Sequence, residues 1–477
     1  MPAWRDTPRL GTDGVPAGMV ALDVAEAGPV VRLRDDLVDG GTAGLFTGMA
    51  GARVTAPVVE LPPGTTRLTG QITTTGTGGS ARVPVRTTAV FTEPHGGHLR
   101  IPLGASYDDE PLWFSVQLPA SGDTPPRLAG FAVDTHGPPG YVVDWQLTDL
   151  RAAPAGGTAT AVPLADGRQW QAVHRSGETG PATAGPRGLT AQYQASPSGG
   201  WAGVSSSVSF AVTVAPGPGQ VPLVATPEAL AALRLGVGDQ TVLVLAGGAV
   251  DVRITGTVAA LPGVPESAAL LVDLPSLATA LFHERGILAA PEEWWLATRP
   301  DQHAEAARAV AGLGGLQVAD RLEVASRSGD DPYGVGARAA LFAAALGAIL
   351  LAAVGITVDV RATARRRVTE LAVLHTLGAG PRLLARSLLV EQAFLAGIGV
   401  LVGLGVGVGV AATMAPLVIL TPSAQRPVPV PLLDVAWLPA TGTGAVLLLL
   451  ALALSGLTAA TMRQRLAAAQ LRIGEDR

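Results

Sequence analysis

The chain has 477 residues, too many for one ordinary domain; 48% are hydrophobic, only 15% are charged, and the formal net charge is −5. A mean hydropathy of +0.36 is too apolar for a soluble protein and points to lipid, while the weak negative charge gives no field for nucleic acid. There is no cysteine, which removes disulfides, zinc–thiolate sites and cysteine nucleophiles, and all 33 basic residues are arginine.

The opening stretch MPAWRDTPRLGTDGVPAG is polar and broken by proline, unlike the basic start and apolar run of a secretory signal. Residues 1–155 are expected to form an extracytoplasmic β-sandwich, jelly-roll-like. From about Pro57 to Pro154, period-two runs such as RLTGQITT, ARVPVRTTAVFTE, LWFSVQLPA and YVVDWQLTDLRA alternate with Gly/Pro/Asp turns. Across the outer region Trp113, Phe114, Trp145 and Trp170 read as core, with a sugar-stacking platform as the alternative. His95 and His98, next to Glu93, read as a polar loop rather than a metal site, and Asp108, Asp109 and Glu110 as exposed acids rather than a calcium loop. No metal and no cofactor is expected.

Residues 156–335 mix strands (TVLVLAG, AVDVRITGTVA, SAALLVDL) with helices (TPEALAALRLG, DLPSLATALFHERG, DQHAEAARAVAGLGG), which predicts an extracytoplasmic α+β domain. Thr226 and Asp301 are the expected helix caps. Trp294 and Trp295, after two glutamates, mark an expected exposed contact.

Residues 336–477 carry three long apolar stretches, about 339–360, 389–420 and 441–461, each near or above the ~20 residues that cross a bilayer as a helix. The fold class is therefore a multi-domain membrane protein, with β-sandwich and α+β domains ahead of a three-helix transmembrane bundle. Arginine orients it. The loop from Arg361 to Leu388 holds six arginines against Glu370, and the tail holds Arg463, Arg465 and Arg472, so both are expected in the cytoplasm. The loop at 421–437 and everything before Arg338 are then outside, in a multi-pass plasma-membrane protein. Translocating about 330 residues without a visible leading helix predicts a missing upstream segment with at least one more span.

Residues 361–409 read RATARRRVTELAVLHTLGAGPRLLARSLLVEQAFLAGIGVLVGLGVGVG. Leu371, Leu374 and Leu377 form an apolar stripe beside Arg367 and Glu370, Gly378 suits a helix stop, and Pro381 prevents continuation. An amphipathic helix resting on lipid headgroups is the alternative. Glu391 opens the second span, where Arg386 can snorkel beside it. Gly399, Gly403 and Gly407 repeat every four residues, a spacing for close helix packing within one subunit or between two.

This segment resembles the FtsX-like permease domain shared by FtsX, MacB-type exporters and lipoprotein-release permeases. The matching pattern is the Arg-rich entry, Arg367-x-x-Glu370, Leu377-Gly378-Ala379 and then Glu391 before the glycines. The resemblance implies a coupling helix, comprising Arg366, Arg367, Glu370, Leu371, Leu374, Leu377, Gly378 and Ala379, that sits against an ABC ATPase subunit. Leu233, Leu235, Gly236, Gly238, Asp239 and Gly256 are similar to a recurring order in the MacB-type periplasmic core. The same resemblance implies a permease; it would lack ATPase activity of its own, since no lysine can serve a Walker A loop. It would drive export or extrusion of lipid, lipoprotein, peptide or antibiotic, as a homo- or heterodimer of permease subunits in membrane lipid, with an extracytoplasmic protein or glycan as a possible further partner. An FtsX-type regulator of a cell-wall hydrolase and a membrane-anchored glycan-binding protein are the alternatives.

Overall fold

The computed structural model describes the chain except residues 39, 56, 78–82, 109, 120–123, 138–140, 195–205, 218, 289, 330–331, 367–380, 419–426, 433 and 476–477. It forms two compact units, Met1–Ala297 and Thr298–Arg477.

The first unit contains two large sheets. A seven-stranded mixed sheet runs in the order Gln240–Leu245, Gly248–Thr257, Val221–Ala225, Ala269–Asp273, Gly18–Leu22, Pro2–Asp6, Glu293–Trp294. Its three middle strands are buried along their whole length, because both faces are covered and successive side chains point to opposite sides. Met19, Ala21, Leu223, Leu270 and Val272 enter one core. Val20, Leu22, Val224, Ala269 and Leu271 enter the other, where the helix Thr42–Gly51 contributes Phe46 and Met49.

Between residues 59 and 214 the chain builds an antiparallel sandwich. One half is ordered His98–Ser106, Val85–Thr92, Arg127–Gly137, Ser206–Val214, Trp170–His174; the other is Thr179–Gly185, Gly188–Gln194, Val142–Pro154, Thr65–Thr77, Leu112–Gln117. Strand Thr179–Gly185 pairs with Trp170–His174 and with Gly188–Gln194, joining the halves. Their inner faces share one core. Trp145 donates its indole N–H to Thr87 Oγ1 at 3.0 Å, and Trp170 donates to the Leu164 carbonyl at 3.0 Å, so each ring is buried without stranding its polar atom.

Sheet membership divides the chain differently from the boundary expected at residue 155. Strands between 170 and 214 complete the sandwich, and the first 22 residues belong to the α+β sheet. The sandwich is thus an insertion in the α+β fold. The physical reason is pairing: Gly18–Leu22 is hydrogen-bonded in parallel to Ala269–Asp273, a partner some 250 residues away that no local pattern announces. The boundary expected at 335 also differs. The short helices His303–Ala311 and Arg321–Gly329 fall in the second unit.

The helix Leu274–Arg285 joins the two sheets of the first unit. Asp273 caps it, accepting from the Ser276 N–H at 3.2 Å, and Gly286 ends it in the left-handed region. It is buried all round, which its sequence shows as a lack of amphipathicity. Leu274, Leu277 and Leu281 pack on the seven-stranded sheet. Phe282 packs on Val90, Ala129, Val173 and Ala211 from the outer face of the sandwich. Arg285 adds hydrogen bonds to the Ala249 carbonyl at 2.8 Å and the Ser176 carbonyl at 3.1 Å.

Thr226 caps Pro227–Leu233 as expected: its Oγ1 accepts from Ala229 N–H at 3.4 Å and donates to the Ser267 carbonyl at 2.8 Å. Asp301 does not cap the next helix, which begins at His303 after Gln302 without a side-chain cap. The Leu233–Asp239 stretch is the turn that feeds helix into hairpin. Gly236 N–H donates to Asp239 Oδ2 at 2.8 Å, and Gly238 N–H donates to the Ile254 carbonyl at 2.8 Å.

Candidate functional site in the membrane helices

The second unit contains three long helices, Pro332–Arg366, Pro381–Val418 and Trp437–Glu475. Within them Arg338–Asp359, Leu389–Met414 and Trp437–Leu457 are long and apolar enough to cross a membrane. The first predicted span is met within a residue at each end; the second starts at the expected Leu389 and ends at Met414 rather than 420, and the third runs from Trp437 to Leu457 rather than from 441 to 461. Leu341, Phe342, Leu351, Leu401 and Leu449 are exposed along these helices. So large an apolar surface is untenable in water and suits lipid.

The last helix packs against both of the others. Where it does so, small residues set the spacing. Ala451 and Ser455, one turn apart, are buried, and Ser455 Oγ returns its proton to the Ala451 carbonyl at 2.8 Å, the usual way a hydroxyl is satisfied in an apolar helix. At Gly444 a Cβ would stand 2.7 Å from Val400 Cγ1, so a larger residue there requires Val400 or its helix to move.

Gly399, Gly403 and Gly407 lie on an exposed row of the middle helix. Among the described residues nothing comes within 4 Å of where their Cβ atoms would be. Arg386 and Glu391 line one shallow hollow on that helix with Ser387, Val390 and Phe394, so the arginine and the carboxylate share a surface as their spacing suggests. Arg366 is the last residue of the first long helix. The other residues expected in a coupling helix, Arg367, Glu370, Leu371, Leu374, Leu377, Gly378 and Ala379, lie outside the described residues.

Three apolar helices in this order, with the arginine-rich segment between the first two, match the family model of the FtsX-like permease C-terminal domain over residues 342–465. Residues 342–465 are an FtsX-like permease domain. The chain is accordingly a membrane protein. No curated protein matches it. FtsX-like permeases generally work with an ABC ATPase.

Ahead of the FtsX-like domain, the structure separates residues that the sequence placed side by side. Phe114, Trp145 and Trp170 are buried and only Trp113 is exposed, so no aromatic platform forms from the four. Trp294 is exposed, whereas Trp295 donates its indole N–H to Glu293 Oε2 at 2.9 Å and lies under the Arg5 guanidinium, 5.7 Å from ring centre. His95 and His98 point to different environments. His98 packs on Phe282 with its Nδ1 buried and without a partner.

His95 instead joins an ionic cluster that sequence reasoning missed. Arg53 donates to Asp273 Oδ2 at 3.0 Å and to Asp273 Oδ1 at 2.7 Å, and also bonds Asp23 Oδ1. His95 Nδ1 lies 3.2 Å from Asp23 Oδ2 and 3.4 Å from Glu26 Oε2. Four stretches of chain meet here, and no two of them are near in sequence except 23 and 26. Asp273 alone carried a legible signal, as the residue before Leu-Pro at a helix start.

Proposed function

We propose that this chain is the permease subunit of an ABC transporter, in which a separate ATPase pushes on the segment between the first two spans and the motion is passed to the Met1–Ala297 unit. The observation that carries this reading is the FtsX-like domain at 342–465, whose first two spans enclose an arginine-rich stretch. ATP hydrolysis belongs to the partner on this reading, because a Walker A loop needs a lysine and the chain has none. The arginine excess in residues 361–388 and in the tail supports, on this reading, a cytoplasmic position for both and an outer position for the first unit. The seven-stranded sheet, with its Leu233–Asp239 turn, serves as the MacB-like core on this reading. Lipid, lipoprotein, peptide or antibiotic is the cargo class.

The test is co-purification. The full chain is isolated in detergent from its native membranes, and the proteins that co-purify are probed for an ABC ATPase. Recovery of the ATPase, with loss of at least ten-fold on Leu374→Asp or Gly378→Pro, is the expected result. An ATPase recovered equally with both variants, or not recovered at all, overturns the proposal.

A further inference from the structure

The cluster at Asp23, Glu26 and His95 has the composition and spacing of a metal site. Asp23 is buried, and its two oxygens have different duties: Oδ1 accepts from the Ala25 N–H at 3.1 Å and from Arg53, while Oδ2 faces His95 Nδ1. Metal–ligand bonds of 2.0–2.2 Å at tetrahedral angles separate neighbouring ligand atoms by about 3.4 Å. The two separations here are 3.2 Å and 3.4 Å. All three donor atoms lie within 4.8 Å of one another.

Charge agrees with geometry. Asp23, Glu26 and Asp273 bring three carboxylates to the cluster and Arg53 a single guanidinium, so the acids outnumber the arginine. A divalent cation balances the excess. Arg53 is spread across two carboxylates and fixes the rotamer of Asp23 from behind, as outer-shell partners of metal ligands do. The side chains of Glu26 and His95 reach the surface, which leaves a path for entry and room for water to complete the coordination.

The backbone holds the histidine in place. Glu93 N–H donates to the Gly97 carbonyl at 2.9 Å across the turn, and Gly96, at φ +87°, lies so close to the start of Leu274–Arg285 that a Cβ there would stand 2.6 Å from Pro275 N. The loop is therefore seated before any ion arrives.

We propose that Asp23 Oδ2, Glu26 Oε2 and His95 Nδ1 bind a divalent transition-metal ion of the zinc class, clamping the inserted sandwich to the seven-stranded sheet. One imidazole nitrogen with two carboxylate oxygens favours such an ion over calcium or magnesium, which take oxygen alone.

The experiment uses the full, tag-free chain in detergent, stripped with chelator and titrated calorimetrically with zinc chloride in a non-coordinating buffer. One saturable equivalent is expected, weakened at least ten-fold by His95→Ala and by Glu26→Gln and unchanged by His303→Ala, a histidine in the other unit. Zinc should also raise the melting temperature of the starting chain and of His303→Ala, and of neither other variant. Glu26 is exposed, so its substitution leaves folding intact and keeps the test decisive. Absence of saturable binding, or retention of binding by either His95→Ala or Glu26→Gln, overturns the proposal.

Discussion

Arg53 holds two buried carboxylates, Asp23 and Asp273, from a helix-end position that looks ordinary in sequence. Breaking a buried pair by removing one partner leaves uncompensated charge, typically at a cost of about 3–5 kcal/mol. Arg53→Met is expected to lower the melting temperature of the first unit strongly. Intrinsic fluorescence reads it out, since every tryptophan except Trp437 lies before Ala297. His283 poses the opposite problem. It is fully buried, its Nδ1–H donates to the Val214 carbonyl at 3.0 Å, and its Nε2 has no partner. Burial pushes its pKa down from 6.5 to about 4, so the folded state keeps it neutral where the unfolded chain would protonate it. Between pH 6.5 and about 4 the unfolded chain binds the extra proton, and stability falls as pH falls, by about 1.4 kcal/mol per pH unit at most. Melting followed from pH 7 to pH 5 should show this decline, and His283→Asn, whose amide can still donate to Val214, should remove about one proton's share of the slope. His98, pushed down to about 3 by burial and by the nearby His283 and Arg100, adds in the same direction.

At the scale of elements, the long helices were the easiest part to read. A run of twenty apolar residues has one stable use, and Arg338–Asp359 and Leu389–Met414 follow directly from composition. The amphipathic strands of the sandwich between 65 and 154 were legible for a similar reason, since one wet face and one dry face impose a period of two. Strands such as Thr179–Gly185, TGPATAG, were not: they carry no large apolar residue to mark the inner face. The ionic cluster was illegible because Asp23, Arg53, His95 and Asp273 come together only through the fold. Among the glycines of the spans, sequence drew attention to the regular row 399, 403, 407, but among the described residues the close helix approach is at Gly444. Gly444→Val should force the last two helices apart, costing on the order of 1–3 kcal/mol as overpacking does, and should lower the temperature at which the helical dichroism is lost in detergent. Gly403→Val should leave that temperature unchanged in the isolated chain, because its Cβ position meets nothing within 4 Å among the described residues.

For the whole molecule, the absence of cysteine makes sidedness directly measurable. Single substitutions Leu374→Cys and Asp13→Cys in an otherwise unchanged chain should label with a membrane-impermeant maleimide from opposite sides of sealed vesicles, position 374 from the cytoplasmic side and position 13 from the outer side. Labelling of both from one side would remove the basis for coupling an inner push to an outer motion. Phe282 tests whether the two sheets of the first unit depend on each other. It is fully buried against the outer face of the sandwich, and Phe282→Ala should cost about 3–5 kcal/mol and split a single fluorescence melt into two.

The place of Gly18–Leu22 in the middle of its sheet also fixes an order of events during synthesis. Its neighbour on one side is Pro2–Asp6, already made, but on the other it is Ala269–Asp273, which the ribosome delivers about 250 residues later. The sandwich, contiguous from 59 to 214, has all its partners in hand well before then. It is therefore expected to mature first, while Pro2–Asp6 and Gly18–Leu22 wait, apolar and half-paired, for the chain to return; such waiting edges are what chaperones shield.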